Sequence, residues 1–584
     1  MDKQKEYNKV EYLHIADKPL LHWMRRGRGI TRHDEGEGRM KRGSLLLAMA
    51  ALVCVLAATL FYGSPYAPVV EPAGDIEQIW EIEDARVESE RPLVTVLENG
   101  GVPLAYDAAE NVFYCTLGMG HGEEWPQLHL TAPGAKGVRL VFVDDYSYDW
   151  CSDALFSGYP YQIVAYTDTE YAYMDVVFTG LPLVQLETDE EVTELDTPAR
   201  VKISTYSAEP VRSRALVHYR GGGSLSADKK SYKVDFVRDA SGKGNRVNLP
   251  GFGLREDVIL SGLVTDRLLL RDAVTWTMYD KLMGDKSGSA FSARKTAYTE
   301  LFVNNEYRGI YLMMEPMKAE DEIGKAGGSH LLTDSAYRSI AKWFIDDKYP
   351  LLENPQAYHS YFEARYVPSA AQPFAALERY CQMLTCEDDE TFIRLAEESV
   401  DMDALVRYVL LMQAGAMTDN VYNNMYIWAK QTAGGMRYVF APWDLDMTWG
   451  RNDHILGSMY ENWLTFTVGD RILALNAGGA AQKLVDQWKI WRENIFTVET
   501  VEEIVMRYSD TLSNSGAIVR NAMRWDLTID DTGGSDIVYA AQMRFEAVDR
   551  AVEQIEQMLA GGDVPAFLLS DESEQIGIAI YGAN

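Results

Sequence analysis

The stretch that most constrains this chain is Thr418–Gly450, TDNVYNNMYIWAKQTAGGMRYVFAPWDLDMTWG. Two short alternating segments, Met425–Ala429 and Met436–Ala441, flank a turn containing Gly434 and Gly435. This is the pattern of a β-hairpin, and a hairpin returns its two ends to one place. Asp419 and Asn424 stand before it; Asp444 and Asp446 stand after it in Trp443-Asp444-Leu445-Asp446. Four oxygen donors should therefore converge. Hard oxygen donors suit Mg²⁺ or Mn²⁺, and the grouping is one way to assemble a metal–phosphate site. The bland alternative is a set of Asx turns at hairpin ends.

A lysine-bearing segment upstream gives the acids something to work with. Tyr219-Arg220-Gly221-Gly222-Gly223-Ser224 is a Gly-rich turn between two strand-like runs, and its backbone N–H groups (Gly221, Gly222, Gly223, Ser224) could approach an anion closely. On the return strand, alternation puts Lys230 on the face of Tyr232, Val234 and Phe236. A lysine on an apolar face is costly unless an anion meets it, so Lys230 is the candidate phosphate contact; a strand-end lysine reaching solvent is the alternative. Asp266 reads as the cap of a helix running to about Met283, with Gly284 as its stop. Within that helix Arg271 could reach a phosphate or brace the site. Glu315, before Pro316, could accept from a ribose, pair with Lys230, or be a turn residue.

The chain has 584 residues with a net charge of −32, which argues against nucleic acid as a partner. Residues 1–43 form a basic segment. They precede an uncharged apolar run, Ser44–Tyr62, long enough to span a bilayer. The basic residues before it place the N-terminus in the cytoplasm and the rest outside, as an uncleaved signal-anchor. Residues 63–92 hold four prolines and a strong acidic excess, which reads as an extended stalk. Residues 93–180 carry short β-rich runs that suggest a small β-sandwich. Residues 181–345 are strand-rich, 346–565 helix-rich, and 566–584 a tail. Asp401 reads as the cap of an apolar helix, Met402–Met417. The fold class is α+β, two lobes with the ligand residues near their junction.

Five cysteines contain no CxxC pair, so a zinc site is not indicated. Cys54 lies in the apolar run. Cys115 could pair with Cys151, and Cys381 and Cys386 read equally as thiols or a bridge. There is no HExxH or GxSxG.

Five segments, YRGGGSLSADKKSYKVDF, LVTDRLLLRDAV, LFVNNEYRGIYLMMEPM, TDNVYNNMYIW and APWDLDMTWG, resemble in order those of the CotH family, spore-coat-type protein kinases with an atypical kinase fold. The resemblance covers about 181–460. It implies ATP-dependent phosphorylation of Ser or Thr on protein substrates, with Asp419 as catalytic acid/base, Asp444 as metal ligand and Lys230 on phosphates. The chain departs from that pattern in reading RGGGSLS where a serine-rich turn is expected. It also has no glutamate in the helix after Asp266; Asp272 is the nearest acid. A non-catalytic surface or coat-assembly protein, or another nucleotide-dependent transferase, is the alternative reading.

Overall fold

Seven strands close into a barrel in the order Leu183–Thr188, Thr197–Thr205, Ala208–Arg220, Ser231–Val237, Asp257–Ser261, Glu306–Met314, Thr296–Val303. All neighbours are antiparallel except at the closure, where Leu183–Leu186 lies parallel to Glu300–Val303. Alternation decides the inside: Val201, Val217, Tyr232, Val234, Phe236 and Leu260 fill the barrel. On Glu306–Met314 the opposite face, Ile310, Leu312 and Met314, packs into the core of the helical part. That strand is buried on both sides, so its sequence IYLMM is apolar throughout.

The computed structural model describes residues 67–72, 76–118, 128–143, 155–206, 208–239, 241–284, 291–340, 361–421, 423–451, 461–528 and 532–569. Contacts divide the chain after Tyr66, and all described residues belong to the unit Ala67–Asn584. The expected basic segment and membrane span, with Cys54 and Cys151, lie outside the described residues. Among the described residues no helix is long and apolar enough to cross a membrane.

The N-terminal part is β-rich. A seven-stranded mixed sheet is built around Pro160–Tyr166 and Glu170–Thr179, and a three-stranded sheet sits beside it. Leu97, Leu130 and Ala132 share one core with Phe113, Ile163 and Val176. Residues 67–72 and 76–92 are not the expected extended stalk. Ile76–Asp84 is a helix whose Ile79 and Ile82 pack against Val141 and Val164. Val70–Glu71 and Val87–Glu88 each add to the mixed sheet. Isoleucines three apart on one helical face outweigh the acidic composition, because the charges point outward.

The rest is helical around a second sheet, so the described fold is mixed α+β. Met402–Ala414 is buried almost all round and capped by Asp401, whose carboxylate accepts from Ala404 N at 3.0 Å. Asn423–Thr432 and Gly435–Pro442 form the expected hairpin, turning through Ala433-Gly434. Ser335–Ile340 and Phe362–Tyr366 extend it to four strands. Cys115, Cys381 and Cys386 are free thiols.

Lys229 ties the barrel to the helix Ala517–Trp525. Its Nζ donates to Ile310 O (2.6 Å) and Asn521 Oδ1 (2.9 Å), and no carboxylate meets it among the described residues. Burial pulls its ammonium down to about 7, against about 10.4 for an unfolded lysine. Between those values the unfolded chain holds the extra proton, so this lysine makes stability rise as pH climbs from about 7 to about 10. Lys229→Met should flatten that rise in melting temperature across the window; an unchanged slope would mean another group titrates.

Candidate functional site

The hairpin does what its ends require. Trp443 N donates to Asn424 O at 2.9 Å. The buried Asn420 locks the closure, its Nδ2 donating to Asn424 O (3.1 Å) and Trp443 O (2.7 Å). This holds the turn Thr418–Asn420, and Asp419 with it, against both hairpin ends. Asp419 accepts from Asn424 Nδ2 (2.5 Å) and from Asn423 Nδ2 (3.2 Å to each oxygen). Asn424 Oδ1 in turn accepts from Arg338. Asn424 and Asp444 both adopt left-handed backbone, with φ of 49° and 61°, a conformation Asn and Asp tolerate better than most residues.

Across from the hairpin, the loop after Asp257–Ser261 supplies the other wall. Thr265 donates to Asp446 through its hydroxyl. Asp266 is buried and accepts from Arg271 N (2.8 Å) and Leu268 N (3.2 Å), capping the entry to the helix Arg271–Met283. It also forms an ion pair with Arg271, whose Nε donates to Thr448 O at 2.9 Å. Asp272 is buried in the first turn of that helix, and its Oδ1 accepts from Leu445 N at 3.0 Å. The peptide between Asp444 and Asp446 is therefore pinned by a third carboxylate.

These acids press on one another. Asp444 is open to solvent, yet the cleft walls crowd it enough to push its carboxyl up to about 6. Loss of water contributes most and Asp446 next, while Arg220 and Arg338 pull the other way. Asp446 is raised by burial, with Asp419 and Asp266 adding and Thr265 and Arg451 opposing. Asp272 is raised well above the usual carboxylate range by burial, then by Asp446 and Asp444. A cluster of like charges held this way favours a cation in its midst. Among the described residues Asp419, Asp444 and Asp446 do not bring three oxygens within 4.8 Å of one another. Mg²⁺ is commonly held by one or two carboxylates and completed by phosphate oxygens and water.

The Gly-rich turn stands at the end of the barrel strand that carries Arg220. Gly221 has φ of 131°, and the following residues form the 3₁₀ turn Gly223–Ser226. A Cβ at Gly221 would fall 2.0 Å from Ser224 Oγ, whereas one at Gly222 meets nothing within 4 Å. Gly221→Ala should lower the melting temperature while Gly222→Ala leaves it nearly unchanged; equal effects would mean the turn has no such demand. Lys230 closes the turn on itself, its Nζ donating to Leu225 O at 2.6 Å over the Tyr219 ring. Arg220 is half-buried and makes no hydrogen bond or ion pair among the described residues. Its strongest charged neighbour is Asp444.

The structure thus gathers Asp419, Asn424, Asp444 and Asp446 and sets Arg271 one ion pair behind them. It gives Lys230 a carbonyl partner in its own turn. It places Glu315 away from the cluster, paired with Arg255 and accepting from Lys295 N. Arg220, Thr265, Asp272 and Arg338 were not singled out as site residues from sequence. Arg220 had one signal, its place directly before three glycines; Arg338 had none. A search of curated proteins finds no match. The model of a known family, described as CotH kinase protein, matches residues 217–558, a span that runs from the end of the Arg220 strand through the whole acid cluster. With more than half of its length inside that match, the chain belongs to the CotH kinase family.

Proposed function

We propose that the chain transfers the γ-phosphoryl group of ATP to a Ser or Thr hydroxyl of a protein. The observation that carries this reading is the unpartnered Arg220 facing the mutually repelling Asp444, Asp446 and Asp272, with Asp419 oriented on the hairpin's other end. An anion with its own cation satisfies both sides: phosphate meets Arg220, and Asp444 and Asp446 meet the metal. Mg²⁺ or Mn²⁺ held there would neutralise phosphate charge as the group moves.

In this reading Asp419 orients the acceptor hydroxyl and takes its proton. Asn424 keeps Asp419 aimed, since its Nδ2 is spent on that carboxylate and its Oδ1 on Arg338. Asp272 holds the Leu445 N–H, so that Asp444 and Asp446 keep their spacing. Arg271 braces Asp266 and the Thr448 carbonyl. The amides of Gly221–Gly223, with Ser224, line the phosphate path, and Lys230 keeps their turn closed. The phosphate-facing charge assigned to Lys230 from sequence passes to Arg220.

The test is incubation with γ-labelled ATP and Mg²⁺ or Mn²⁺. Label on Ser or Thr supports the reading. Label arriving from the α-phosphate would mean nucleotidyl transfer instead, and no label with no ATP-induced thermal shift would sink it. Arg220→Gln should raise KM for ATP about tenfold to a hundredfold, the worth of a charge-assisted hydrogen bond. A KM within error of the unaltered chain would remove Arg220 from the phosphate site. We also propose that Ser44–Tyr62 anchors the chain with its catalytic part outside the cytoplasm. The acceptors would then be surface or coat proteins. Protease treatment of intact cells tests this, and a protected C-terminal part would reverse it.

A further inference from the structure

Arg338 reaches the acid cluster from the four-stranded sheet. It stands on Ser335–Ile340, in register with Tyr426 of the hairpin on one side and with Glu363 of Phe362–Tyr366 on the other. Residues paired in this way share a face of the sheet. One nitrogen, Nη2, donates to Asn424 Oδ1. The Nε is buried and makes no hydrogen bond, while the side chain as a whole is half-buried. Its charge is thus neither answered inside the protein nor fully given to water.

The acid best placed to pair with Arg338 is committed elsewhere. Glu363 lies directly across the strand pair, yet its Oε1 accepts from Arg365 Nη1 at 2.7 Å. Arg365 is itself fixed, donating through Nε to Tyr426 OH at 3.1 Å. Asp444 feels the charge of Arg338 but makes no ion pair with it among the described residues. In the proposed function that carboxylate goes to the metal. One positive charge is therefore left over on this face. A guanidinium offers a planar fork of donors and no acceptor, so it gains most from a carboxylate or a phosphate.

The position of Arg338 decides which anion that is. Arg220 stands at the Gly-rich turn, on the side assigned to the phosphates of ATP. Arg338 is joined through Asn424 to Asp419, the residue assigned to the acceptor hydroxyl. We propose that Arg338 receives an acidic side chain next to the acceptor Ser or Thr, so that the chain prefers acceptors in acidic sequence. The proposal rests on the phosphoryl-transfer reading and adds the substrate class. A net charge of −32 draws in no acidic peptide by itself, so the preference has to come from this local charge. Arg365 is a positioning residue here: it keeps Glu363 off Arg338.

The test measures initial rates of peptide labelling by the full chain with γ-labelled ATP and Mg²⁺. Each peptide holds a single Ser, with one Asp moved in turn through the flanking positions. Asn replaces Asp in a control set, and phosphoserine replaces it in a third set, which tells phosphate from carboxylate. At one position or more, the acidic residue should lower the peptide KM by about fivefold or more against its Asn control. Arg338→Gln should raise the KM of the favoured peptide to that of the control and leave the KM for ATP unchanged. A fall in kcat from a loosened Asn424 would strike both peptides alike. Arg365→Met, outside the acid cluster, should release Glu363 to Arg338 and erase the same preference, and adding Glu363→Gln should restore it. Melting temperatures check folding, and the Arg365 variants stand if Arg338→Gln does not fold. Peptide KM values indifferent to acid overturn the inference alone. So does an Arg338→Gln effect on the KM for ATP in place of the peptide, or transfer to none of the peptides by a chain that still labels protein hydroxyls. No transfer of any kind overturns the phosphoryl-transfer reading, and this inference with it.

Discussion

Asp444→Asn and Asp419→Asn should each reduce ATP-dependent labelling by about two to four orders of magnitude, without comparable loss of stability. In the proposed reading the two act for different reasons. Asp444 is the open member of the acid cluster, opposed by Arg220 and Arg338 and raised by Asp446, so its charge is available to a cation. Asparagine keeps its shape and removes that charge. Asp419 has its orientation set by Asn424 and Asn423, and asparagine there would lose the proton acceptor and keep most of the geometry. Metal titration separates them. Asp444→Asn should need far more Mg²⁺ to reach its residual rate, while Asp419→Asn should show an ordinary metal dependence and a low kcat. Asp446→Asn should be milder, because Thr265 and Arg451 already offset its charge. Lys230→Met should act mainly through the Gly-rich turn, by way of Leu225 O. An Asp444→Asn chain that keeps more than about a tenth of the activity would contradict the assignment, since a lost metal carboxylate costs more than that.

The largest stability effect is expected at Glu300. This carboxylate is fully buried where three parts of the described fold meet. It accepts from Thr179 at the end of the N-terminal sheet (2.5 Å) and from Tyr307 of the barrel (2.6 Å). Arg520, on the helix Ala517–Trp525, grips it through two nitrogens at 3.1 and 3.0 Å. Glu300→Ala would strand the Arg520 guanidinium without a counter-charge, at a cost of about 3–5 kcal/mol. The double variant Glu300→Met, Arg520→Met should recover part of that loss, because it removes the orphaned charge as well. A chain of several parts need not unfold in one step, so the readout is the first thermal transition. Glu300→Ala should lower it sharply, and the double variant should raise it partway back. No fall in the single variant would show that apolar contacts such as Tyr114 against Phe302 and Tyr307 hold the junction without the ion pair.

Much of the local architecture was legible. The hairpin Asn423–Pro442 could be read because alternation and a Gly-bearing turn are properties of neighbouring residues. Asp401 before Met402–Ala414 was a readable cap for the same reason. The helix after Asp266 was readable in its existence and in its end at Met283, but it begins only at Arg271, and Asp266 caps it from five residues upstream instead of one. Ile76–Asp84 was obscured by an acidic, proline-bearing composition, although only two isoleucines are needed to seat a short helix. The barrel was legible as strands but not as a barrel. Its closure pairs Leu183 with Glu300, residues more than a hundred positions apart, and no local pattern encodes that partner.

The candidate site divides the same way. Sequence alone determined that Asp419, Asn424, Asp444 and Asp446 meet, because a hairpin returns its ends whatever surrounds it. It also placed a glycine turn and lysines together on a strand pair. Tertiary structure decided which cation faces the acids. Lys229 turned into a junction with Asn521 and Lys230 onto its own turn, leaving Arg220 opposite Asp444. It also brought Asp272 to Leu445 N and Arg338 to Asn424 from separate elements. The physical reason is that periodicity tells which face of a strand or helix a side chain occupies. What stands across from that face depends on how distant elements pack, and the charge balance of a site is set there.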